Sequence, residues 1–153
     1  MPEVSVAQRL RARPETVWVL VSDMESFPRF MSSVLSVKVL ERGDGFTRSE
    51  WVCRLQGMRF RWVERDDFDA TAGIIRYAQV EGDLKRFEGE WQLTPPPGTP
   101  SDETDVRLRT LFDFGLPMLS AMLDPVAKIA LRKNVEAMLR GLEEEVARSS
   151  ARV

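Results

Sequence analysis

Residues 46–68 read FTRSEWVCRLQGMRFRWVERDDF, from Phe46 to Phe68, and apolar and polar side chains alternate on both sides of Gln56-Gly57. A period of two is the signature of a strand, and a glycine-bearing turn between two such runs is that of a hairpin. In the first run, Phe46 to Leu55, one face carries Ser49, Trp51, Cys53 and Leu55 and the other Arg48, Glu50, Val52 and Arg54. In the second, Arg59 to Phe68, Phe60, Trp62, Glu64, Asp66 and Phe68 share a face while Arg59, Arg61 and Arg65 look away. One face dominated by large apolar groups and one by charge is the pattern of an antiparallel sheet that covers a core on one side.

The same reading extends outward in both directions. Upstream lie Val37 to Leu40 and the turn Gly43-Asp44-Gly45; downstream lie the turn Asp69 to Gly73, a strand from Ile74 to Val80, the turn Gly82-Asp83 and a strand from Lys85 to Leu93. The loop Pro95 to Pro100 then leads into Asp105 to Phe114. Phe87, Gly89, Trp91 and Leu93 share the inner face, as do Val106, Leu108, Thr110, Phe112 and Phe114, whereas Tyr77 suits either face of its strand. With Val4 and Val6 as an opening strand, the count is seven, joined by short turns as in a meander. Arg13-Pro14-Glu15 starts a helix with Val17, Trp18, Leu20 and Val21, and a second short helix covers Met24 to Met31 with Asp23 as cap. In the last third, Leu131, Val135, Met138, Leu142 and Val146 recur at helical spacing, with Leu123, Ala127, Ala130, Asn134 and Gly141 beside them. Asp124-Pro125 is either the start of that helix or a kink in one beginning near Leu119. The expected architecture is α+β and a single domain over 1–153: a seven-stranded antiparallel sheet curved around a long C-terminal helix, two short helices plugging one end, and a frayed tail at 146–153.

Composition narrows the chemistry. The 153 residues hold 22 Lys+Arg and 24 Asp+Glu, a net charge of -2, with no histidine and a single cysteine, Cys53. A Ser-His-Asp or Cys-His nucleophile, a His-ligated zinc site and an intrachain disulfide are thereby excluded. Carboxylates, Arg, Lys, Tyr, Ser, Thr and the lone thiol remain, and neither a metal nor a cofactor is implied. A chain of this length buries about 70% of its unfolded surface, enough for a core with a cavity. Basic residues are scattered among acidic ones, so no direct nucleic-acid footprint is visible. The longest uncharged stretch, Gly115 to Leu123, is far short of the ~20 residues of a membrane span. The opening MPEVSVAQRLRARPE lacks the apolar core of a signal peptide, which makes the cytoplasm the expected location. Oligomeric state is not legible.

Two inward carboxylates on one strand, Glu64 and Asp66, are the most unusual feature, because unpaired acids are almost never fully buried. Either they sit hydrated or arginine-paired at the sheet rim, or one has a raised pKa and works as a general acid or base, or as a hydrogen-bond partner for a ligand. Trp51, Trp62 and Trp91 fall on the inward face, as core or as the wall of a cavity. Asn134 interrupts the inner side of the helix, tied to backbone carbonyls or facing a ligand. Cys53 reads as a buried inert thiol, and Ser49, Thr110 and Tyr77 have no histidine to activate them. The outer arginines, Arg48, Arg54, Arg59, Arg61, Arg65, Arg107 and Arg109, form a solvated face or a docking surface for an anionic partner such as the ribosome.

The order of elements, Ala12-Arg13-Pro14-Glu15-Thr16-Val17-Trp18 with Val21 to Pro28, the hairpin Glu81 to Trp91, and Phe112 to Glu136 together resemble the START-like (Bet v 1-like, SRPBCC) superfamily. Within it the chain is similar to the polyketide cyclase/dehydrase and coenzyme Q-binding protein group. The resemblance implies a helix-grip fold around a cavity for a hydrophobic ligand; members include polyketide aromatase/cyclases, quinone carriers and a ribosome-associating toxin. Those cyclases use an inward arginine and an inward tryptophan on the strand that here runs from Arg59 to Phe68. Trp62 matches the tryptophan, but the arginine's place holds Asp66, and an anion cannot do a cation's work at an enolate. The reading is therefore binding or carriage of a lipid, isoprenoid quinone or polyketide-like aromatic. Its expected lining is Trp51, Trp62, Phe87, Trp91, Thr110, Phe112, Asn134 and Met138, with Glu64 and Asp66 as polar anchors. The alternatives are a cyclase, aromatase or dehydratase in which Glu64 and Asp66 are catalytic, and a ribosome-associating module.

Overall fold

Leu55 pairs with Met58 and, counting back along both strands, Cys53 with Phe60, Trp51 with Trp62, Ser49 with Glu64 and Thr47 with Asp66. This hairpin is the middle of a larger sheet in the computed structural model, which describes residues 3–55, 57–98, 102–114 and 120–151. The elements are β1 (Glu3–Leu10), α1 (Pro14–Ser22), a 3-10 helix (Met24–Arg29), β2 (Val34–Gly43), β3 (Phe46–Leu55), β4 (Met58–Asp69), β5 (Ile74–Gly82), β6 (Arg86–Thr94), β7 (Thr104–Asp113) and α2 (Ser120–Ala151). The strands form one 7-stranded sheet, β1-β7-β6-β5-β4-β3-β2, in which every neighbouring pair is antiparallel. This is the expected helix-grip arrangement.

The inner face packs on α2. Trp51, Trp62, Ile75, Tyr77, Trp91, Leu93, Leu108 and Phe112 from the sheet and Leu131, Val135, Met138, Leu139, Leu142 and Val146 from the helix are all buried in one cluster. Tyr77 thus points inward, which the sequence left undecided. The register of β4 against β5 shifts between Val63 and Glu64, yet β3 and β4 stay in step, so Glu64 and Asp66 keep the inner face.

The second short helix lies where it was expected and is of the 3-10 type; it contains Pro28, whose missing N–H interrupts an α-type ladder. Two features at the ends of the sheet differ from the sequence reading. Asp23 does not cap the 3-10 helix through its side chain; its carbonyl accepts Ser26 N–H at 3.1 Å and Ser26 Oγ–H at 2.6 Å. The tail expected to fray is helical as far as Ala151, because Val146, 3% exposed, carries the apolar edge of α2 onward into the core. Pro125 lies inside α2, so of the two starts considered the longer helix holds. Gly141 marks where α2 crosses the end of the 3-10 helix: a Cβ there would stand 2.0 Å from the Phe30 carbonyl oxygen. Among the described residues no helix is long and apolar enough to cross a membrane.

Candidate functional site

The regular β3–β4 register places two tryptophans and two carboxylates in adjacent cross-strand rows. Trp51 and Trp62 are direct partners, with ring centroids 5.9 Å apart and planes 8° from parallel. Trp62 continues into Phe87 on β6 at 4.9 Å, and Phe87 into Tyr77 on β5 at 5.8 Å. These rings form an aromatic wall, which is what alternating large residues on the concave side of a sheet must build when a helix closes over them.

Between this wall and α2 lies a cavity with about 70 Å³ of free volume. Its lining includes Trp51, Trp62, Phe87, Trp91, Thr110, Asn134 and Met138, all expected from the sequence, together with Glu64. Phe112 and Asp66 do not reach it. The Phe112 ring, fully buried, packs on Phe114 at 5.2 Å and belongs to the core, while Phe114 lines the cavity instead. Asp66 lies behind Glu64 and borders a different space, a polar crevice of about 140 Å³ among Ser22, Asp23, Glu25, Arg42, Thr47 and Ser49. Alternation says which face a side chain takes; which cavity it meets depends on the curvature of the sheet and on what covers each end.

Each polar group is held by named partners. Trp62 Nε1–H donates to Glu64 Oε1 at 2.8 Å, and Trp51 Nε1–H to Ser49 Oγ at 2.9 Å. The Ser49 hydroxyl in turn donates to Asp66 Oδ2 at 2.6 Å, and Thr47 Oγ–H donates to the same oxygen at 3.0 Å. Asp66 Oδ1 receives no donor. Glu64 is 2% exposed and Asp66 0%. Burial, then the neighbouring Asp66 carboxylate, hold the Glu64 carboxyl well above the usual carboxylate range, against the opposing pull of the Trp62 N–H. Among the described residues no Lys or Arg lines the cavity.

On the far wall, Tyr77 Oη lies 2.6 Å from Thr110 Oγ1. The two sit on β5 and β7, and Gly89 of the intervening β6 is the register partner of both. Gly89 permits the crossing: a Cβ there would stand 2.6 Å from Tyr77 Oη and 1.9 Å from the Arg109 carbonyl oxygen. Burial raises the Tyr77 hydroxyl pKa. Asn134 approaches Met138 Sδ with its Nδ2 at 3.9 Å and lines the cavity; the sequence left both readings of this residue open. Cys53 also lines the cavity, and burial, with Glu64 adding, pushes its thiol up, which leaves it protonated and unreactive. Sequence reasoning missed Tyr77 and Thr47 as members of this network. Thr47 was within reach, since a two-residue turn after Leu55 already places it opposite Asp66.

The sheet-and-helix arrangement is shared with known proteins. The profile of the family described as polyketide cyclase / dehydrase and lipid transport matches residues 10–139. The chain belongs to this family. The crystal structure of TTHA0849 from Thermus thermophilus superposes with a TM-score of 0.90 at 32% identity, covering 97% of this chain and 99% of that one. The Zhui aromatase/cyclase from Streptomyces sp. R1128 superposes at 0.84, with 18% identity over 96% of this chain and 94% of that one, a likeness of fold. The ribosome association toxin RatA of Escherichia coli K12 is 24% identical over 95 residues, 62% of this chain, and the match spans 60% of that protein. This member of the family carries Trp62, Glu64 and Asp66 in turn along the inner face of β4.

Proposed function

We propose that this chain binds a neutral, apolar small molecule, a lipid, an isoprenoid quinone or a polyketide-like aromatic, between the sheet and α2. Trp51, Trp62, Phe87, Trp91, Thr110, Asn134 and Met138 are its contacts. One observation carries the reading: the cavity wall is aromatic and aliphatic, free of cations among the described residues, and its carboxyl, Glu64, is held toward its neutral form. Such a wall offers burial to apolar surface and a hydrogen bond or two for orientation. The free volume is several-fold below the ~300 Å³ of a drug-sized pocket, so a ligand enters by displacing side chains. Met138, unbranched and flexible, is the wall residue suited to yield.

On the outer face, among the described residues, three of the seven arginines are ion-paired, Arg61 with Glu50, Arg65 with Asp67 and Arg109 with Glu3. Native mass spectrometry and lipid extraction of the purified protein, with displacement of an apolar dye, test the proposal. A bound apolar molecule, or a dye displaced by one, is the expected result; an empty protein with no dye site ends it.

Acid–base catalysis is the second reading, favoured by the position of Glu64 on the cavity wall. With Asp66 outside the cavity, Glu64 alone touches a bound molecule, so only Glu64→Gln directly removes the proton donor. Turnover of a polyketide-like substrate unchanged in Glu64→Gln excludes this reading.

A further inference from the structure

The two buried carboxyls face different spaces. Glu64 borders the apolar cavity and Asp66 the polar crevice between the 3-10 helix end of the molecule and β2–β4. They lie on the same face of β4, two residues apart, and the charge of one bears on the other. Asp66 Oδ2 is connected to the crevice through the hydroxyls of Thr47 and Ser49, which also line it. The crevice, at about 140 Å³, has room for a few water molecules at ~30 Å³ each. Asp66 Oδ1 is buried with no hydrogen-bond partner, which leaves an acceptor open on the carboxylate that neighbours Glu64.

We propose that Glu64 and Asp66 form a proton relay through the sheet. Asp66 exchanges protons with water in the crevice, and Glu64 presents a proton to a carbonyl oxygen of a neutral apolar ligand in the cavity. The ligand half rests on the binding function proposed above; the relay half does not. No covalent step is involved: the proton passes from water to Asp66 and on to Glu64, and returns by the same route. The arrangement solves a specific problem. A buried carboxyl that faces a mostly apolar cavity regains a lost proton slowly by that route once a ligand fills it, whereas a second carboxyl with hydroxyl contacts to the crevice can return the proton without opening the ligand site.

The groups that set the charge balance are few. Facing Glu64 are Asp66 on its own strand, Cys53 on β3 and Tyr77 on β5. The cavity residues of β6, β7 and α2, among them Phe87, Trp91, Thr110, Asn134 and Met138, do not titrate. On the crevice side stand Asp23, Glu25 and Arg42, the last two paired at 3.6 Å.

Infrared spectroscopy tests the relay without a ligand. At neutral pH the protein shows the C=O stretch of a protonated carboxyl, and Glu64→Gln removes it. On transfer to deuterated water the band shifts within the mixing time. Thr47→Val combined with Ser49→Ala retains the band but slows the shift at least tenfold, and Thr47→Ser alone, which keeps both hydroxyls, leaves the rate unchanged. A missing band in the parent protein, or an exchange rate indifferent to the double substitution, overturns the relay. For the ligand half, tryptophan quenching compares 2-methyl-1,4-naphthoquinone with 2-methylnaphthalene. The quinone binds about tenfold more tightly, the ratio a hydrogen bond from a buried carboxyl supplies, and Glu64→Leu abolishes the preference while hydrocarbon binding persists. Equal affinities in the parent protein overturn the carbonyl assignment. Binding of neither probe overturns the ligand half together with the proposed function, while the infrared result stands separately. Tight binding of tetramethylammonium with loss of the protonated band shows instead that a cation neutralises the pair, and overturns the proposal.

Discussion

Glu64 couples stability to pH in a direction opposite to that of most carboxylates. Its folded pKa is raised, chiefly by burial and then by Asp66, so above the unfolded value of about 4.3 the folded state holds a proton that the unfolded state has released. Stability from this group is complete at low pH and declines as pH rises, by about 1.4 kcal/mol per unit, until the folded pKa is passed. Glu64→Gln removes that decline. Urea midpoints of both proteins between about pH 5 and 8 check it: the parent loses ground relative to the variant as pH rises, and parallel curves show that Glu64 ionises normally. Tyr77 makes a simpler case. Its hydroxyl meets Thr110 Oγ1 across Gly89, and Tyr77→Phe deletes that bond while keeping the ring against Phe87. A loss of about 1 kcal/mol is expected in denaturant titrations, with Thr110→Val giving a non-additive double mutant because the two hydroxyls share one contact.

At the scale of elements, the β3–β4 hairpin and the α2 crossing carry the site. The hairpin was legible: Phe46 to Leu55 and Arg59 to Phe68 are the observed strands to within a residue, because alternation and a glycine turn are local signals. The second short helix was legible as a helix, but its 3-10 type was not, since the same apolar spacing fits both types and Pro28 is the local mark of the difference. Gly141 shows where helix propensity and packing oppose each other. Gly141→Ala favours an isolated helix by about 1 kcal/mol. Here it drives a methyl group toward the Phe30 carbonyl oxygen, a backbone atom that cannot move aside, and a net destabilisation of about 2 kcal/mol is expected. Thermal unfolding decides the sign; a stabilised variant means that α2 is free to shift away from Phe30.

For the molecule as a whole, the sheet supplies a wall and α2 a cover, and the space between them is the proposed binding site. A ligand that binds the folded state alone stabilises it in proportion to its occupancy, by about 2.7 kcal/mol at a hundredfold excess over Kd. An apolar quinone added to saturation therefore raises Tm by several degrees in a domain of this size. Trp62→Ala abolishes that rise together with the Trp51–Trp62 stack, at a cost of about 3–5 kcal/mol to the empty protein. A saturating quinone that leaves Tm unmoved excludes the cavity as its site.

The sequence by itself determined the period of each strand, the charged and apolar faces, the amphipathic closing helix and the placement of Glu64 and Asp66 on the inner side, since all of these follow from local alternation and composition. Tertiary structure alone decided that Tyr77 turns inward to reach Thr110, that Phe114 rather than Phe112 meets the cavity, and that the two carboxylates open on different spaces. Those outcomes depend on how far the sheet curves around α2 and on which elements plug its ends. Such quantities arise from contacts among strands far apart in the chain, and no local pattern of residues encodes them.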